Sequence, residues 1–126
     1  MQANSLDCTV EVIKMLGKTA RILFTVGNLG YLQKGVRIGK VTSIARNLLN
    51  VKPLIVLQDA EIHTYSIKWG HRKSLNGIID LLINYCKDYH CTPTDCNIII
   101  CYCHDYEEAV RFQKLTEEPL CEAFGT

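Results

Sequence analysis

Apolar positions recur along this chain at two periods, one near 3.6 residues and one of 2, which separate helix from strand. Leu6, Val10, Ile13 and Leu16 stand three or four residues apart and Gly17 follows. That predicts a short amphipathic helix closed by a glycine. Residues 20–26, ARILFTV, are β-rich and bounded by Gly27-Asn28, so they predict a strand. Leu29 to Lys34 reads as one or two helical turns closed by Gly35, and Ile44, Leu48 and Leu49 suggest another short helix up to Asn50. Pro53 opens a second strand over 53–58. Gln58-Asp59-Ala60-Glu61 is a turn, and 61–68 alternates enough to return as a hairpin partner.

The clearest periodicity follows. Leu75, Ile78, Ile79, Leu82, Ile83 and Cys86 form a stripe on a long helix that starts near Gly70 and ends before Cys91. Residues 97–103 are an almost continuous apolar run, which predicts a strand buried on both faces. Asp105 then caps a helix with Glu107 and Glu108 in its first turn, where the dipole favours them, and with Ala109, Phe112 and Leu115 turned inward. Pro119 ends that helix and 120–124 form a last short strand. The order is α-β-α-α-β-β-α-β-α-β. The central hairpin makes the fold class α+β: a mixed or largely antiparallel sheet of about five strands with helices packed on it. The expected organisation is one domain over residues 1–126.

Composition adds limits. At 126 residues, 48% hydrophobic and 21% charged, the chain is globular, which excludes disorder, collagen-like repeats and a coiled coil. No apolar run approaches the ~20 residues that cross a bilayer. Met1 to Val10 lacks the basic-then-apolar pattern of a signal peptide, so a cytoplasmic location is expected. The net charge of +1 hides an asymmetry. Residues 1–75 carry 11 Lys+Arg against 4 Asp+Glu, and residues 76–126 carry 3 against 9. Such halves can neutralise each other on folding, or the basic half can meet an anionic partner.

No catalytic apparatus emerges. The seven cysteines contain no Cys-x-x-Cys pair, and an odd count predicts reduced, metal-free thiols. Cys101-x-Cys103-His104 is the only metal-like spacing. On a strand, though, His104 points away from the two cysteines, and Cys103-His104-Asp105 fails as a triad for the same reason. His63, His71 and His90 are scattered. Gly17-Lys18-Thr19 and Gly35-x-x-x-Gly39-Lys40 miss the phosphate-loop pattern in spacing and context. No cofactor is expected. Lys68-Trp69-Gly70-His71-Arg72-Lys73 is a basic cluster with one aromatic. It leaves open a protein-interaction or nucleic-acid-binding module that uses the basic first half.

Three runs, taken together, carry a resemblance. They are Phe24-Thr25-Val26, then Leu29-x-Tyr31-Leu32-x-Lys34-Gly35-Val36-Arg37-Ile38-Gly39-Lys40, then Leu48-Leu49-Asn50-Val51-Lys52-Pro53-Leu54-Ile55. They resemble the DegV family, whose pattern reads Leu-x-Tyr-Leu-x-x-Gly-Gly-Arg-Ile and then Leu-Leu-x-Ile-Lys-Pro-Ile. Leu57 to Ile62 matches the family's hairpin, and Arg72-Lys73-Ser74-Leu75 its long helix. The likeness is specific over 24–75 and one of element order from there to the end. Val36 replaces a family glycine, Ala60 replaces a turn glycine, and Trp69 stands where an arginine is common.

The resemblance implies a fatty-acid-binding carrier, not an enzyme. Family members hold one long-chain fatty acid between two domains and present its carboxylate to a fatty-acid kinase. This chain resembles the C-terminal domain alone, stopping within the family's Gly-Thr-His-x-Gly-Pro-Gly motif at Gly125-Thr126. Phe24, Val26, Leu29, Leu32, Ile38, Ile44 and Leu48 are candidates for the acyl-chain wall. Arg37 and Lys40 are candidates for head-group or partner contact, with Ile38 buried and Arg37 partly exposed. Alone, the chain is expected to bind fatty acid weakly or not at all and to self-associate through an exposed apolar face.

Overall fold

A computed structural model describes residues 2–27 and 50–125. Over those residues the chain forms helix α1 (Gln2–Thr19), strands β1 (Ile22–Thr25), β2 (Val51–Gln58) and β3 (Glu61–Trp69), and helices α2 (His71–Asp88) and α3 (Tyr106–Phe124). The short helices expected over 29–34 and 44–50 lie outside the described residues, as does the Gly35–Lys40 loop.

The sheet is antiparallel in the order β1-β2-β3. β2 is central and the most buried of the three strands, with Val51, Pro53, Leu54 and Ile55 all buried. Leu54 and Ile55 are consecutive, so they point to opposite faces, yet both are fully buried. Phe24 lies opposite Ile55, and Val51 opposite Trp69. The β2–β3 register slips between Leu54 and Ile55, whose partners are Ser66 and Thr64. Tyr65 is the extra residue of this bulge and faces solvent. The hairpin closes through Asp59 and Ala60, both at positive φ (52° and 61°). This is the turn whose twist matches paired strands.

α2 lies across all three strands. Its buried face is Ser74, Gly77, Ile78, Ile79, Leu81 and Cys86. Leu75, Leu82 and Ile83, expected in that stripe, are only half-buried. The stripe is turned toward the small residues because Ser74 and Gly77 let the helix come close to the sheet. The Ser74 hydroxyl donates to the His71 carbonyl at 2.6 Å, which satisfies it in a fully buried position. α3 packs on α2, and the His71 imidazole meets the Glu108 carboxylate between them. Asp105 caps α3 as expected, its carboxylate accepting from the Glu108 N–H at 3.0 Å.

Of the five strands expected, three form among the described residues. Residues 97–103 form no strand with any of the described residues, and Ile99 is 82% exposed. An apolar run becomes a strand only when a neighbouring edge accepts its hydrogen bonds, and none among the described residues does. Cys101 and Cys103 therefore do not share a strand face, and both are exposed. The strand expected at 120–124 is the end of α3, which runs through Pro119. Phe112, Thr116, Leu120 and Phe124 recur every four residues and are buried or half-buried. That continuous inward face outweighs the one backbone bond that proline removes. Leu115, expected inward, is exposed. The C-cap is Gly125, at φ 70°.

α1 also departs from the expectation. It runs past Gly17 to Thr19, and Leu6, Ile13 and Leu16 of its apolar stripe are exposed. Its link to the core is polar. The Tyr85 hydroxyl donates to the Thr19 carbonyl at 2.6 Å. Arg21 donates to the carbonyls of Lys18 and Ala20, both at 2.8 Å, and its guanidinium stands 5.7 Å from the Tyr85 ring centre. Burial raises the Tyr85 phenol above its usual pKa, with Arg21 opposing.

Candidate functional site

Of the acyl-wall candidates, Phe24 and Val26 are described. Phe24 is half-buried on β1 against Ile55, and Val26 is half-buried just past the strand's end. Leu29, Leu32, Ile38, Ile44 and Leu48 lie outside the described residues, and so do Arg37 and Lys40. What the structure gives is the frame from which that segment leaves and to which it returns. Lys52, of the Lys-Pro pair, donates from Nζ to the Gly27 carbonyl. The end of β1 and the start of β2 are thereby clamped side by side. Asn50, at φ 69°, turns the chain into β2, and its carbonyl accepts from the Gly70 N–H at 2.9 Å. Between Phe24 and Val26, the Thr25 hydroxyl is buried without a hydrogen-bond partner among the described residues.

The basic cluster is spread along the surface. Trp69, His71, Arg72 and Lys73 are exposed at the start of α2, and His71 is turned to Glu108.

A second constellation was not legible as a motif. The sulfur atoms of Cys86, Cys91 and Cys96 all lie within 4.8 Å of one another. Cys86 is buried at the end of α2, and the other two are half-buried in the loop that follows. Cys86 and Cys91 also line an open hollow of about 370 Å³ with Ile83, Lys87, His90, Ala123 and Phe124. Burial, Cys96 and Cys91 push the Cys86 thiol up to about 12. Burial and Cys96 likewise raise Cys91. The available signal was the even five-residue spacing of 86, 91 and 96, which standard metal-ligand spacings do not include. Cys101, Cys103 and His104 are exposed and outside this group.

Comparison with known proteins identifies the frame. The family model described as "Uncharacterised protein, DegV family" matches residues 1–123. A DegV domain-containing protein of Clostridium acetobutylicum is 34% identical over 89 residues, covering 70% of this chain and 32% of the relative. A protein of Thermotoga maritima named fatty acid-binding protein is 29% identical over 69 residues, covering 55% of this chain and 24% of its own length. The crystal structure of a stearic acid-binding protein from Eubacterium ventriosum superposes with a TM-score of 0.67 at 37% identity, covering 82% of this chain and 34% of that one. The matched part of the chain thus spans about a third of the length of these curated relatives. No helix among the described residues is long and apolar enough to cross a membrane. With the family model matching nearly end to end, the chain belongs to the DegV family.

Proposed function

We propose that this chain supplies one wall of a fatty-acid-binding site and acts as part of a cytoplasmic carrier. The family match and the fatty-acid-binding relatives point to a binding protein rather than an enzyme. The observation that carries the reading is the likeness to the stearic acid-binding structure, at 37% identity over most of this chain. The acyl chain lies against Phe24 and Val26 and against Leu29, Leu32, Ile38, Ile44 and Leu48. Arg37 and Lys40 meet the carboxylate or the protein that receives it. A fatty-acid kinase is the proposed partner, since a carrier that holds an acyl carboxylate can present it for phosphorylation.

The relatives are more than twice as long as this chain, and its match covers about a third of each. A site in them can draw walls from outside the matched third, so weak binding by this chain alone belongs to the same reading. The exposed stripe of α1 supports it too, because apolar surface facing water favours a second body, whether another domain or another copy.

Stearate added to the isotopically labelled chain tests the placement, since NMR reports even weak contact. Shift changes concentrated at Phe24, Val26 and residues 28–49 are expected. Changes confined to Trp69–Lys73, or centred away from Phe24, Val26 and residues 28–49, refute the proposal.

A further inference from the structure

Cys86, Cys91 and Cys96 are brought together by two successive backbone closures. His90 follows α2 at φ 51°, and the Cys91 N–H returns to the Cys86 carbonyl at 2.9 Å. The Cys96 N–H then bonds the Thr92 carbonyl at 3.2 Å, and the Thr92 hydroxyl donates to the Asp95 carboxylate at 2.6 Å. Each closure turns the chain back toward the end of α2. The outcome is three sulfurs on one spot, beside a hollow open to solvent.

We propose that Cys86, Cys91 and Cys96 form a trithiolate site for a thiophilic d¹⁰ cation, Zn²⁺ by fit. Zinc holds thiolates at about 2.3 Å, which in tetrahedral geometry sets sulfurs roughly 3.8 Å apart. The observed upper separation of 4.8 Å needs only a small contraction to reach that. Mg²⁺ and Ca²⁺ are excluded by ligand type, because both require oxygen. Simple apolar packing accounts for Cys86 but not for Cys91 and Cys96, which are half-exposed where the helix has already ended. Three thiolates on a dication leave one net negative charge, and Lys87 lines the hollow that Cys86 and Cys91 also line. Three protein ligands leave one coordination position to solvent. Bound there, the ion staples the end of α2 to the loop that leads into residues 97–103.

The test uses the chain reduced with a phosphine and freed of metal. Zn²⁺ is titrated against a chromophoric chelator, and Co²⁺ serves as the spectroscopic probe. One equivalent per chain is expected, with thiolate-to-cobalt charge-transfer and tetrahedral d–d bands. Cys91→Ser and Cys96→Ser, each nearly isosteric, should weaken Zn²⁺ binding by more than the roughly 10–100-fold that loss of an outer-sphere partner costs. Cys101→Ser and Cys103→Ser should leave it unchanged. A second readout needs no variant: Zn²⁺ should protect Cys91 and Cys96 from alkylation while Cys8, Cys101, Cys103 and Cys121 react. Absence of a stoichiometric Zn²⁺ complex, binding that survives Cys91→Ser and Cys96→Ser, or alkylation unaffected by Zn²⁺ would each overturn the assignment.

Discussion

Gly77 of α2 lies directly over Leu54 of β2: a Cβ built on Gly77 comes 2.7 Å from Leu54 Cδ1 and 3.1 Å from Lys68 Cε. The helix sits as close to the sheet as it does because this position has no side chain. Two effects oppose each other in Gly77→Ala. Helix propensity favours alanine by about 1 kcal/mol. Overpacking costs about 1–3 kcal/mol, and Leu54, fully buried, has nowhere to move. The clash is expected to win, lowering stability by ~1–2 kcal/mol net in urea unfolding. A variant more stable than the parent would show that α2 is not held this close.

Ala60 sits in the hairpin turn at φ 61°. An L-residue pays roughly 1–2 kcal/mol in that region, and glycine does not. Glycine also loses more chain entropy on folding, which removes part of the gain. Ala60→Gly should therefore raise stability by about 0.5–1 kcal/mol, read as a higher urea midpoint at unchanged slope. An unchanged or lower midpoint would contradict the turn geometry.

Tyr85 ties α1 to α2 through one hydroxyl. Tyr85→Phe keeps the ring beside Arg21 and removes only that donor. A net loss of about 1 kcal/mol is expected for such a bond. Faster amide exchange in α1 should accompany it, with exchange in β2 little changed. Equal exchange in α1 would mean that the helix is held by something else.

The sequence made some elements legible and hid others for physical reasons. The hairpin, the long helix and the Asp105 cap were readable because each rests on local chemistry: alternation, a 3.6-residue stripe, a carboxylate three residues before its N–H. The run 97–103 was misread because apolarity says that a segment avoids water, not that an edge is free to pair with it. Pro119 was misread as a stop because a single proline is a local signal, while the stripe from Phe112 to Phe124 is a tertiary one. In α2 the sheet-facing positions include Ser74 and Gly77, which a search for large apolar residues passes over. The family frame was legible in the residues around Lys52-Pro53. The thiol cluster was not, because it depends on two loop closures that no spacing rule encodes.

The proposed site makes Val26 a wall residue, half-buried at the mouth of β1 and outside the fully buried core. Val26→Asp should weaken fatty-acid binding while leaving the unfolding midpoint within about 1 kcal/mol of the parent, since most substitutions away from the core have small effects. Loss of folding, or unchanged binding, would remove Val26 from the wall.

Titration of a fluorescent long-chain fatty acid, against this chain and against the full-length stearic acid-binding relative, tests the central claim most directly. The account predicts saturable binding to the relative, displaced by stearate, and binding to this chain that is weaker by roughly one to two orders of magnitude for each charge-assisted bond it lacks, or absent. Equal affinity for both would show that the site lies wholly within these residues and would contradict the account.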